Sequence, residues 1–117
     1  EVVTAYAPTY VPAAPDLGYV PLDSYDLINE VERMQGEVID SALEAAGHPE
    51  VEIVRTLTKG RAADTLLQAA KDADLLVVGN RGRGGFAGLR LGSVSQSIAH
   101  HSPCPLVIIH TGLDNED

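Results

Sequence analysis

Residues 77–96 read VVGNRGRGGFAGLRLGSVSQ and hold six of the eleven glycines and three of the eight basic side chains, with no acidic residue. Glycine lets the backbone come close to a bound group. Arg81, Arg83 and Arg90 have no carboxylate neighbours in sequence, so the chemistry on offer is capture of a small anion rather than a polyanion. Within the segment, Gly79-x-x-Gly82 is followed, after nine residues, by Gly92-Ser93. A loop of this kind leaves the carboxyl end of a strand and enters the amino end of a helix, where unpaired N–H groups and the helix dipole favour an anion.

Competing motifs are weaker. Gly82-x-Gly84-x-x-Ala87 half-fits a dinucleotide fingerprint, but it comes late in the chain, the helix starts after it, and no acid lies about 20 residues on. A phosphate loop of the Gly-x-x-x-x-Gly-Lys type is absent. His100, His101 and His110 read as helix-end and strand-end histidines, because no acid or second cysteine completes a ligand set at suitable spacing. Cys104, between Pro103 and Pro105, reads as a buried inert thiol with no neighbouring base in sequence.

The elements that must position the loop follow from periodicity. VVTAYA (2–7) predicts a strand ending at Pro8, and residues 9–24, with three prolines and a glycine, predict a long connection. Asp23 or Ser24 can cap a helix whose Leu27, Ile28, Val31, Met34, Val38 and Ala42 form an apolar stripe, widened by Ile39 and Leu43 and broken by Gly47 and Pro49. VEIVRTLT (51–58) predicts a second strand, followed by a short helix through Ala63, Leu66, Leu67 and Ala70. DLLVVG (74–79) has the continuous apolar character of a strand buried on both faces. Ser93 then caps a helix with Val94 and Ile98 inward, PLVIIH (105–110) is the last strand, and residues 111–117 are an expected disordered tail. Strands alternating with helices predict an α/β fold, an open parallel sheet with helices on both faces, and in such sheets ligands bind beyond the carboxyl ends of the strands.

Composition narrows the class. A chain of 117 residues fits one domain, 1–117, and 44 % apolar with 4 % aromatic content suits an aliphatic core, not a stacking platform for single-stranded nucleic acid. Net charge is −9, with ten acids and one base in residues 1–50, which argues against duplex nucleic acid as a partner. No apolar run reaches the roughly 20 residues of a membrane helix, no export signal is recognisable, and the single cysteine agrees with a reducing compartment, so the expectation is a cytoplasmic protein with no membrane partner.

The spacing Gly79-x-x-Gly82, nine residues, Gly92-Ser93, together with DADLLVVGNRGRGG and LGSVSQSIAHHSPCPLVII, resembles the universal stress protein family over most of residues 51–110. The resemblance implies a Rossmann-like fold with five parallel strands, a homodimer through the last strand, and ATP, with or without Mg, as the ligand in one of the family's two branches. It places backbone groups of Gly79, Gly82 and Gly92 against the nucleotide, hydroxyls of Ser93 and Ser95 at its phosphates with Val94 between them, and Asn80 and Arg81 near the ribose and phosphates. The chain starts at what resembles the family's second strand, so the usual first strand and helix, and an aspartate that contacts the nucleotide, are expected to be missing. Ala5 matches the second-strand position whose backbone meets adenine. The expected function is an ATP-binding stress sensor or partner-binding module. The alternatives are a slow ATPase, for which the sequence names no base, and a member of the branch that binds no nucleotide.

Overall fold

The computed structural model describes residues 1–7, 10–14, 18–21, 24–80 and 92–110. The chain is an α/β protein with parallel strands, and its contacts divide it into two units, Glu1–Arg61 and Ala62–Asp117.

In the first unit β1 (Val2–Tyr6) pairs in parallel with β4 (Arg55–Lys59), in register from Val2 opposite Arg55 to Tyr6 opposite Lys59. Residues 51–54 lie outside β4, a correction to the expected strand over 51–58. The pairing begins where the Val2 N–H donates to the Val54 carbonyl at 2.8 Å, while the Val51 N–H turns back to the Pro49 carbonyl at 3.0 Å. A second correction concerns the expected connection over 9–24, because β2 (Tyr10–Ala14) and β3 (Gly18–Pro21) form an antiparallel hairpin there. Both strands of an isolated hairpin are edges, which is where proline is tolerated, and the register shifts between Pro12 and Ala14, beside the residue that has no N–H for the ladder.

Helix α1 (Ser24–Ala45) ends as its sequence requires. Gly47 adopts φ 80°, its N–H donates to the Glu44 carbonyl at 3.1 Å, and the His48 N–H reaches the Leu43 carbonyl at 2.8 Å. This is the paired closure that a left-handed residue makes possible at a helix end. The face that α1 buries is rotated from the expected stripe. Ile39 and Gln35 are buried, Leu27, Val31, Met34 and Leu43 are half-buried, and Val38, at 59 % exposure, and Ala42 point outward.

Gln35 sits inward because the two strands satisfy it. The two N–H groups of its Nε2 are shared among the Thr4 hydroxyl at 2.9 Å, the Thr56 carbonyl at 3.1 Å and the Val2 carbonyl at 3.2 Å, while its Oε1 accepts from Arg55 Nε at 3.1 Å. Arg55 in turn donates from Nη2 to the Glu32 carbonyl at 2.5 Å, and its guanidinium passes over Gly36, where a Cβ would stand 3.3 Å from Nη2. On the solvated side Arg33 pairs with Glu30 and, at 2.5 Å, with Glu37. The hydrogen bond from Arg33 holds the Glu30 carboxyl below its ordinary value.

In the second unit α2 (Ala62–Ala70) packs on α3 (Ser93–His101), and β5 (Leu76–Gly79) pairs in parallel with β6 (Leu106–Ile109). Among its described residues Thr65, Ala70, Asn80, Ser95 and Ile98 are buried. Both strands alternate between half-buried and exposed side chains, with Val77 55 % exposed, so β5 is covered more on one face than on the other. That corrects the expectation of burial on both faces. A continuous apolar run does not by itself distinguish the two arrangements.

Candidate functional site

β5 ends at Gly79, and Gly92 caps the start of α3. The two ends are tied to each other. The Gly92 N–H donates to the Asn80 carbonyl at 2.7 Å, and the Ser95 hydroxyl donates to the Gly79 carbonyl at 2.5 Å. The Asn80 N–H donates to the Ile109 carbonyl at 2.9 Å, which carries the parallel ladder one residue past Gly79. Asn80 and Ser95 are both buried, at 4 % exposure each.

The helix cap is Gly92, extended at φ −68° and ψ 168°, with no side-chain capping bond. Ser93 is the first helical residue, which corrects its expected role as cap. The reason lies in the backbone, since the Gly92 carbonyl accepts the first i to i−4 bond, from the Gln96 N–H at 2.9 Å. The N–H groups of Ser93, Val94 and Ser95 therefore precede the first bonded turn and have no acceptor inside the helix. Ser93 and Val94 are exposed, so Val94 does not face the core as expected, whereas Ile98 does.

What this junction can do chemically follows from its donors. Three helix-end N–H groups, the positive end of the helix dipole and the exposed Ser93 hydroxyl suit an anion with several oxygens. The Ser95 hydroxyl has its proton directed to Gly79, so toward any further group it acts through its lone pairs. Gly79, Asn80, Gly92, Ser93, Val94 and Ser95 are thus gathered at one strand-to-helix junction. Arg81 and Gly82, with Arg83 and Arg90, lie outside the described residues. Ala5 belongs to the first unit, in β1 opposite Thr58.

The tie from Ser95 to Gly79 is the feature that sequence reasoning missed. A hydroxyl at the third helical position after a strand-to-helix loop was the available signal. Elsewhere, the His100 and His101 rings lie 6.3 Å apart at the end of α3, and Cys104 is half-buried, with its carbonyl accepting from the Ser102 hydroxyl at 2.7 Å. Among the described residues no helix is long and apolar enough to cross a membrane.

Parallel strands linked through helices, with a tied junction at a strand's carboxyl end, define the class as an α/β protein of the Rossmann-like type. The model of the universal stress protein family matches residues 2–110, and the chain belongs to that family. It is 36 % identical over 110 residues to a universal stress protein of Thermus aquaticus, covering 92 % of this chain and 74 % of that protein. A universal stress protein of Mycobacterium tuberculosis is 33 % identical over 94 residues, 80 % of this chain, and one of Mycolicibacterium smegmatis is 42 % identical over 62 residues, 53 % of this chain. The chain spans 29 % of the length of the first of these mycobacterial proteins and 21 % of the second.

Proposed function

We propose that the chain is a nucleotide-binding universal stress protein that takes ATP and works in the cytoplasm as a nucleotide-dependent stress sensor or partner-binding module. The observation that carries this reading is the tied junction, with Gly92 N–H on the Asn80 carbonyl at 2.7 Å and three helix-end N–H groups beside it. Its donor set suits a polyphosphate. In this reading the phosphates meet the N–H groups of Ser93, Val94 and Ser95 and the Ser93 hydroxyl. Gly79, Gly82 and Gly92 let the backbone come close, and Asn80 and Arg81 lie toward the ribose and phosphates. The protein assembles as a homodimer through β6.

The test is native mass spectrometry of the purified chain for copurified ATP, paired with calorimetric titration of ATP into nucleotide-free protein. One nucleotide per chain is expected. Failure to bind at millimolar ATP, with the protein folded by circular dichroism, would overturn the reading. Product release over hours well above a protein-free control would instead make the protein an enzyme.

A further inference from the structure

We draw no further inference here: the strongest candidate, the exposed apolar face of the β5–β6 pair formed by Leu75, Val77, Val107 and Ile109, carries no proposal because nothing in the structure shows what covers it.

Discussion

Replacing Ser95 with Ala removes the side-chain bond that ties α3 to the end of β5. The Ser95 hydroxyl is buried and lies 2.5 Å from the Gly79 carbonyl. Gly79 is itself exposed, so water can replace the lost donor, and the cost is that of one ordinary hydrogen bond, about 0.5–1.5 kcal/mol. Alanine's better helix propensity offsets about 0.5 kcal/mol of this. The net loss centres on about 0.5 kcal/mol, which for a chain of this size corresponds to a fall in Tm of about 2–3 °C. Urea denaturation should show a lower midpoint with an unchanged slope, because the compactness of the native state is preserved. Ser93→Ala is the control, since Ser93 is exposed and alanine's better helix propensity should leave its stability no lower than the parent's. The two variants should separate in calorimetry, where Ser93→Ala weakens ATP binding in a protein of undiminished stability. A Ser95→Ala protein as stable as the parent would refute the energetic reasoning, and a Ser93→Ala protein with parental ATP affinity would remove Ser93 from the phosphate site.

The remaining predictions address the cap, the clamp on α1, pH and assembly. Gly92→Ser should keep or slightly raise stability, because serine is a favoured cap at these extended angles, while lowering ATP affinity at least about tenfold by placing a side chain beside the ligand; titration calorimetry and thermal melts read the two effects. Gln35→Leu strips Arg55 Nε of its acceptor and should cost about 1–3 kcal/mol, read as a lower urea midpoint. Because the Glu30 carboxyl is held below its ordinary value in the folded state, its contribution is present above the unfolded value and fades as pH falls through the folded one. Glu30→Gln should therefore flatten the acid limb of the stability profile slightly, the pair being exposed and screened by salt. Ile109→Lys, on the exposed face of β6, should weaken self-association in sedimentation without removing ATP binding, and a parent chain that stays monomeric at high concentration would sink the dimer.

Helix and strand positions were legible where one local rule decided them. The Gly47 and Pro49 stop gave the end of α1, and short β-branched runs gave β1, β5 and β6. The hairpin was hidden because three prolines in residues 9–24 signal a connection, whereas a two-stranded hairpin has only edges on which proline can sit. The rotation of α1 was hidden for a different reason. Apolar periodicity has no place for Gln35, whose partners Val2, Thr4, Arg55 and Thr56 are remote in sequence and meet only when β1 and β4 pair. At the candidate site the glycine and serine positions were readable, but the residue that begins α3 was displaced by one. A capping preference favours Ser93, but the Gly92 carbonyl already accepts the first intrahelical bond, from the Gln96 N–H, so Gly92 takes the cap position.

Two glycines in this chain illustrate how backbone geometry separates folding demands from other demands. Gly47 stands at φ 80°, a conformation that side-chain-bearing residues resist, so helix termination alone accounts for it. Gly92 stands at φ −68° and ψ 168°, which any residue adopts, and as a cap it is no better than serine. Folding thus explains Gly47 but gives no reason to prefer glycine at position 92. The proposed site supplies one, since a residue without a side chain, directly before three helix-end N–H groups that have no acceptor inside the helix, adds no bulk beside those groups. Ser95 completes the arrangement from below by holding the helix start against the strand end, so the donors are fixed in place before any ligand arrives, and the ordering cost of binding falls accordingly.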